Sequence, residues 1–266
     1  MKKLIVANWK MMPESLAQAQ EILESINDHL GSLRGGNGYS LVFCPPFVFL
    51  EEVGKILKMS HLEDPSFLGA QDIAIDEGTA LTGEVSGSML VGLGVQYVII
   101  GHSERRWKLG ESDQVVNKKL KIVLKNNLIP IVCIGEKTRE GDFKNFLKKQ
   151  IAKTFEGIDE GGISKCIVAY EPVWAISTNP DAHPDTPQSA LESIKIIRNT
   201  IIKNWKTCPE SVEGLEIGNL PKVLYGGSVT SQNVGDFLGE KEIDGVLVGG
   251  ASVNKEEFVK ILSLIE

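Results

Sequence analysis

The chain has 266 residues, 42% hydrophobic and 24% charged, with 27 glycines, 11 prolines and four cysteines, the profile of an ordinary globular protein. Disorder would need a hydrophobic deficit, collagen a strict glycine period, and a membrane span about twenty uninterrupted apolar residues; the apolar runs here are short and end at glycine, proline or charge. The net charge of −7, with no stretch that interleaves basic and aromatic residues, argues against a nucleic-acid groove, but a small anion held by local amides and one or two cations stays compatible with it.

In chain order, branched apolar runs at LIVANW (4–9), SLVFCPP (40–46), SFLGAQ (66–71), QYVIIGH (96–102), LIPIVCIGE (128–136), KCIVAYEP (165–172), KVLYGG (222–227) and DGVLVGG (244–250) predict eight strands. Each run is nearly continuous in hydrophobicity, as expected of strands covered on both faces in a parallel sheet. Helical patterns lie between them: Leu16, Ala19, Leu23 and Ile26 after Pro13, and Val116, Leu120, Val123 and Leu124 after Ser112. A third has Leu191, Ile194, Ile197 and Ile201 after Thr186 and Pro187, with threonine as N-cap and proline in the first turn. Strand and helix alternate throughout, which predicts one α/β domain over residues 1–266. Periodicity alone leaves two architectures: a closed (β/α)8 barrel of eight parallel strands with outer helices, or an open doubly wound sheet.

The cysteines Cys44, Cys133, Cys166 and Cys208 are widely separated and show no paired spacing, and three sit in apolar runs; they read as buried reduced thiols. The apolar run behind the two N-terminal lysines ends at Asn8, too short for a signal-peptide core, so the expected compartment is the cytoplasm.

The polar residues favour closure. Lys10 follows strand 1, His102 ends strand 4, Glu171 ends strand 6, Ser228 follows strand 7, and Gly249 and Gly250 end strand 8. In a barrel these positions share one rim, whereas in an open sheet the first and last strands need not meet. Glu171, presented before Pro172, reads as a partly desolvated general base with a raised pKa, although taken alone such a residue is more often a capping or salt-bridged carboxylate. His102 precedes a serine that can cap a short helix, whose amides would favour a neutral ring; no partner lies at metal-ligand spacing. Lys10, if it points inward, supplies positive charge to a developing oxyanion. The pairs Gly226–Gly227 and Gly249–Gly250 let backbone amides approach a ligand, and the Asn254 region opens a helix behind the second, the arrangement expected of a phosphate site.

The ordered set ANWKM, FCPPFV, GAQD, TGEVS, IIGHSERR, GESD, CIGE, AYEPVWAI, YGGSV and DGVLVGGAS runs along nearly the whole chain and closely resembles the triosephosphate isomerase family. The resemblance implies a TIM barrel and interconversion of dihydroxyacetone phosphate and D-glyceraldehyde 3-phosphate through an enediolate, a step of glycolysis and gluconeogenesis that needs no metal or redox cofactor. It implies Glu171 as the base, neutral His102 as the group that polarises the carbonyl and shuttles protons between the oxygens, and Lys10 and Asn8 as stabilisers of negative charge. Ile176 and Leu247 match the clamp that desolvates the base on closure, and Ser228, Gly249 and Gly250 match the phosphate-gripping amides. A homodimer is implied too, with the Thr82 loop inserted beside the partner's active site; neither nucleic acid nor membrane enters.

The departures concentrate in the lid behind strand 6. The family reads WAIGTG and then runs shortly to a helix; this chain reads WAISTNPDAHPDTP, with Ser177 and Asn179 in place of the two glycines and a longer connection. Ser177 can still offer its amide to phosphate, but Pro180 and Pro184 stiffen the segment, which predicts altered lid kinetics on unchanged chemistry. Met12–Pro13 and the slightly longer GTALTGE loop alter details of the expected dimer contact, and the segment from Lys206 to Pro221 is extended without a functional reading. Two alternatives remain: another phosphosugar enzyme on the same barrel, and a non-catalytic phosphoester-binding protein. An aldolase would need a Schiff-base lysine inside a strand, and none is evident.

Overall fold

The structure is a computed structural model that describes residues 2–32, 38–59, 66–78, 80–177, 179–206 and 220–265, without the side chains of 31, 32, 205 and 206. Cys208 and nearly all of the Lys206–Pro221 segment lie outside the described residues.

The strands are β1 (Lys3–Asn8), β2 (Tyr39–Cys44), β3 (Ser66–Ala70), β4 (Tyr97–Ile100), β5 (Ile129–Ile134), β6 (Ile167–Tyr170), β7 (Lys222–Tyr225) and β8 (Gly245–Val248). Each runs parallel to the next, and β8 returns to β1 through Leu4↔Gly245 to Ala7↔Val248. The sheet is therefore a closed barrel, and the open alternative is excluded. Around it run α1 (Leu16–Ser32), α2 (Leu50–Met59), α3 (Gly87–Gly92), α4 (Ser103–Lys108), α5 (Asp113–Lys125), α6 (Phe143–Thr154), α7 (Glu160–Ser164), α8 (Pro187–Lys206), α9 (Val234–Leu238) and α10 (Lys255–Ser263).

Strand side chains alternate between faces, and here both faces are covered. Leu4, Val6, Val42, Ile99, Ile131, Ala169, Leu224 and Leu247 fill the barrel interior, while Ile5, Ala7, Phe43, Val98, Val132, Val168 and Val246 pack beneath the helices. This double burial is why the strand runs are continuously apolar. The helices supply the other side of the outer layer: Ile22, Leu23 and Ile26 from α1, Val116, Leu120 and Val123 from α5, and Ile194, Ile197 and Ile201 from α8. Leu16, read from the same period, is the first residue of α1 and is exposed.

The caps follow the sequence signals. Ser112 Oγ accepts from the Val115 amide at 3.3 Å, and Thr186 Oγ1 accepts from Ser189 at 3.2 Å ahead of Pro187, each satisfying an amide that the helix itself leaves unpaired. Cys44, Cys133 and Cys166 are buried free thiols.

The inward periodicity positions the site. Asn8 continues the inward series of Leu4 and Val6, Glu171 that of Ile167 and Ala169, Gly226 follows Leu224, and Gly249 follows Gly245 and Leu247. All four reach the carboxyl-end mouth of the barrel, where Asn8, Glu171 and Gly226 are buried.

Candidate active site

Glu171 follows β6 with its amide bonded to the Ile134 carbonyl at 2.8 Å. Its two neighbours across the sheet are glycines because of it. A Cβ on Gly135 would overlap the Glu171 carbonyl, and one on Gly226 would sit 3.0 Å from Glu171 Cγ. The buried carboxylate has two anchors: Oε2 accepts from the Ser103 amide at 2.7 Å, and Oε1 lies 3.0 Å from His102 Nε2. Burial pushes its pKa up, but His102, the Ser103 amide and Lys10 together outweigh burial and leave it below the usual carboxylate value. The raised pKa expected from desolvation alone is thereby corrected: the sequence does not reveal that three positive or donating groups converge on this side chain.

His102 is aimed by the residue before it. Gly101 has φ 64°, a left-handed conformation that side chains with a Cβ adopt at a cost, and a Cβ there would strike Val116 and Arg106. The turn sends His102 inward, out of the alternation of β4. Histidine, not the serine after it, caps α4: Nδ1 accepts from the Glu104 amide at 3.3 Å. A nitrogen that accepts an amide hydrogen carries no proton of its own, so the ring presents Nε2–H to Glu171. Buried Arg106 braces this corner, donating to the Gly101 carbonyl at 2.7 Å and the Cys133 carbonyl at 3.1 Å, and pairing with Asp113 at 2.7 Å.

Lys10 has φ 55°, a rare conformation for a residue with a side chain, which persists only where its surroundings over-determine it. Asn8 Oδ1 accepts from the Lys10 amide at 3.1 Å, and Gln71 Nε2 donates to the Lys10 carbonyl at 2.8 Å and to the Cys44 carbonyl at 2.9 Å. The bend carries the ammonium across the mouth to Glu104 Oε1, at 2.8 Å, past Gly249, where a Cβ would stand 3.3 Å from Lys10 Cε. Burial raises the Glu104 pKa, and Lys10, with His102 and Lys108, more than reverses it, holding Glu104 below the ordinary value.

Beneath these groups lies a buried ionic cluster. Lys119, 2% exposed, bonds both oxygens of Asp72 at 2.6 and 2.7 Å and Glu111 at 2.6 Å. Arg105 bonds the same two acids at 2.8 and 2.7 Å. Asp72 adjoins Gln71, which holds Lys10, and Arg105 belongs to the helix capped by His102, so the cluster ties the two supports together.

The lid segment opens with a 3-10 turn at Val173–Ala175. Trp174 Nε1 donates to Glu136 Oε1 at 3.0 Å, as does the Tyr170 hydroxyl at 2.8 Å. Ile176 is half-buried and Ser177 exposed. Beside this segment on the same rim, after the adjoining strands β7 and β8, Ser228 follows the Gly226–Gly227 pair, and Gly249 leads into a 3-10 turn, Gly250–Val253, that is stitched by Ser252 donating to the Gly249 carbonyl through N at 2.8 Å and Oγ at 2.7 Å. Asn254 caps α10, accepting from Glu257 at 2.9 Å. Gly226 and Gly227 are buried: the first clears Glu171, and a Cβ on the second would collide with the Tyr225 hydroxyl. Their reading as ligand-facing backbone is corrected to one of close packing, and Ser228, Gly249 and Gly250 remain at the open rim.

Against this geometry, the comparisons agree. A family model described as triosephosphate isomerase matches residues 3–265. The chain is 39% identical over 268 residues to the triosephosphate isomerase of Caldanaerobacter subterraneus subsp. tengcongensis, covering 98% of this chain and 99% of the relative. It is 39% identical over 265 residues to that of Alkaliphilus oremlandii, with 98% and 99% covered, and 39% identical over 267 residues to that of Dehalococcoides mccartyi, with 98% and 96% covered. The chain belongs to the triosephosphate isomerase family.

The barrel of this family member brings Asn8, Lys10, His102 and Glu171 to one mouth, with buried Leu247 below and Gly249 beside them. Ile176 and Ser177 stand on the segment after β6, and Thr82 lies on an exposed loop after β3. Sequence reasoning missed Gln71, Glu104, Arg106 and the Lys119 cluster. Glu104, two residues after His102 in the first turn of a helix, carried a local signal; Lys119 carried none, because a lysine in an amphipathic helix ordinarily faces water.

Proposed function

We propose that the chain is a triose-phosphate isomerase, an intramolecular aldose–ketose isomerase that interconverts dihydroxyacetone phosphate and D-glyceraldehyde 3-phosphate. The observation that carries this reading is the contact between the Glu171 carboxylate and His102 Nε2, 3.0 Å apart, in a mouth that also holds Lys10. A carboxylate below its usual pKa is ionised at neutral pH and ready to take a proton.

In the proposed reaction Glu171 removes a proton from C1 of dihydroxyacetone phosphate, and the C1–H electron pair becomes the C1–C2 double bond while the carbonyl oxygen takes the charge. His102 gives its Nε2 proton to that oxygen and recovers one from the O1 hydroxyl; Glu171 then returns its proton to C2. Every proton lost is regained, so the step needs no oxidant or metal. The Lys10 ammonium supplies charge to the enediolate, and Asn8, whose Oδ1 is occupied by the Lys10 amide, presents its NH2 group. Ser228, Gly249, Gly250 and the Ser177 amide hold the phosphate dianion, and Ile176 closes over Leu247 to expel water from the base. Local amides and Lys10 hold this anion against a chain of net charge −7.

We also propose a homodimer of single-domain subunits in the cytoplasm. Exposed Met11, Val48, Leu81 and Met89, with Met11 90% and Val48 83% exposed, stand on the loops and short helix after β1, β2 and β3, and an apolar group of this kind marks an interface. The Thr82 loop would then approach the partner's Lys10 region. No described helix is long and apolar enough to cross a membrane. Turnover of either triose phosphate in deuterium oxide tests the chemistry: the expected product carries solvent deuterium at the carbon Glu171 reprotonates, and wild-type turnover without any exchange contradicts the enediolate route.

A further inference from the structure

Charge is distributed unevenly over the helix layer. Nearly half of the chain's lysines and arginines, but few of its acids, fall between residues 105 and 156, although the chain as a whole carries −7. On α5, Val116, Leu120 and Val123 face the barrel, and Lys118, Lys121 and Lys125, spaced i, i+3, i+7, are exposed on the opposite side. Among the described residues Lys118 and Lys121 form no ion pair, nor do exposed Lys149 and Lys153 on neighbouring α6, and Lys125 reaches only Glu77, at 3.5 Å and largely solvated. The single acid of α5, Asp113, is taken by Arg106 at 2.7 Å. The exposed acids that follow α6, Glu156, Asp159 and Glu160, pair with none of these lysines among the described residues.

The counterpart is α1. It contains no lysine or arginine, and with Ile22, Leu23 and Ile26 turned inward it exposes Glu21, Glu24 and Asp28, again at i, i+3, i+7. Among the described residues Glu24 and Asp28 form no ion pair, and Glu21 reaches Lys255 only at 3.7 Å. Residues so spaced stand on one face of a helix and span about 10 Å of its length. Laid side by side and parallel, the two ridges put Glu21 against Lys118, Glu24 against Lys121 and Asp28 against Lys125. An exposed apolar group stands at the N-terminal end of each ridge: Leu16 begins α1, and Trp107, stacked on Phe146 with centroids 6.3 Å apart, precedes α5. One chain cannot bring the ridges together, because α1 lies between β1 and β2 and α5 between β4 and β5 of the closed barrel.

We propose that the acidic α1 ridge of one copy docks against the basic α5 ridge of a second copy, a salt-sensitive contact distinct from the apolar dimer face proposed above. The occupant is a second copy because the chain's own α1 supplies the complement in sign, spacing and length. Two different surfaces meet, so the contact is heterologous, and each copy keeps one ridge free for the next. Exposed ion pairs are individually weak and are screened by salt, so the assembly is transient and forms at low ionic strength and high protein concentration. Both ridges lie on the outside of the helix layer and not at the mouth, so neither covers Glu171.

The inference depends neither on the proposed isomerase nor on the proposed dimer, because its readout is mass gained relative to the same protein at high salt. Sedimentation velocity is run on the full chain from about 10 to about 500 μM, in about 20 mM and about 300 mM NaCl, the range over which screening becomes strong. The parent's weight-average sedimentation coefficient is expected to rise with concentration at low salt and to stay flat at high salt. K118E/K121E and E24K/D28K are each expected to weaken the association about tenfold or more, and an equal mixture of the two to recover to within about threefold of the parent, since each reversed ridge then meets its complement. K195E/K241E, a charge reversal at exposed lysines off both ridges, is expected to stay within about twofold of the parent. A parent that sediments alike at both salts, a K118E/K121E that associates like the parent, a K195E/K241E that loses as much, or a mixture without recovery would overturn the proposal. So would binding of fluorescein-labelled polyglutamate to the Lys118 ridge of a parent that does not self-associate, which would give the face to a different acidic protein. Should K118E/K121E not fold, E24K/D28K carries the decision, and parent-like association there overturns it.

Discussion

Glu171 and His102 share a single contact, Oε1 to Nε2 at 3.0 Å, while the second Glu171 oxygen is held by the Ser103 amide at 2.7 Å. The base is thus parked on the residues that follow β4 and must leave them to reach a carbon. The same contact sets its ionisation.

His102 holds the Glu171 pKa down, so H102Q is expected to raise it. A depressed carboxylate stabilises the fold above its unfolded value, and that stability is lost as pH falls through the folded value. The parent should therefore hold its full Glu171 contribution above the ordinary value of 4.5 and lose it as pH falls from there through the lower folded value, whereas in H102Q that contribution is smaller and the acid loss correspondingly shallower. Acid unfolding followed by circular dichroism, with the Glu171 carboxyl titrated by carbon-13 NMR, checks both; coincident titrations in the two proteins would refute the assignment.

Lys10 is the only ammonium placed at the mouth by the hydrogen bonds described above. K10A is expected to lower kcat/KM by about 10²–10³, the scale for removing one oxyanion-stabilising group, with thermal stability little changed, because alanine keeps the Cβ and with it the left-handed strain at residue 10. Steady-state kinetics beside a melting curve separates these effects.

The buried cluster makes a stability prediction. K119M leaves Asp72 and Glu111 facing each other with only Arg105 between them, and breaking a buried ion pair costs about 3–5 kcal/mol. A drop of about 6–20 °C in Tm is expected at the scale of a chain this size. A melting temperature within a few degrees of the parent would mean that the cluster is not what holds α4 and the Gln71 loop together.

G226A tests the packing around the base. The new methyl would sit 3.0 Å from Glu171 Cγ, tighter than ordinary contact, so the carboxylate must shift by a few tenths of an ångström. Positioning errors of about 1 Å cost about a hundredfold, and a loss of about tenfold in kcat with intact folding is expected.

Much of this was legible in the sequence, for definite reasons. Double burial makes the strands of a parallel barrel continuously apolar, so all eight stood out, and the inward period of two carries Asn8 and Glu171 from interior layers to the mouth. Closure could not be read from period, only from the requirement that Lys10 and Gly250, after the first and last strands, share one site; β1 pairing with β8 satisfies it. The electrostatics were less visible. Glu171 read as a raised carboxylate because burial has a local signature, whereas the Ser103 amide and His102 reach it through a turn that depends on Gly101. Gly226 and Gly227 read as ligand contacts because glycine records only that something is close; the structure shows that the close objects are Glu171 and Tyr225.

The central claim is that this mouth isomerises triose phosphates with Glu171 as the base. Its most direct measurement is a coupled assay of purified chain on D-glyceraldehyde 3-phosphate, run beside E171D, which withdraws the carboxylate by one methylene and leaves its charge. The account predicts dihydroxyacetone phosphate formation by the parent and a loss of about 10²-fold or more in kcat for E171D, with KM little changed. A parent without turnover, or an E171D as fast as the parent, would contradict it.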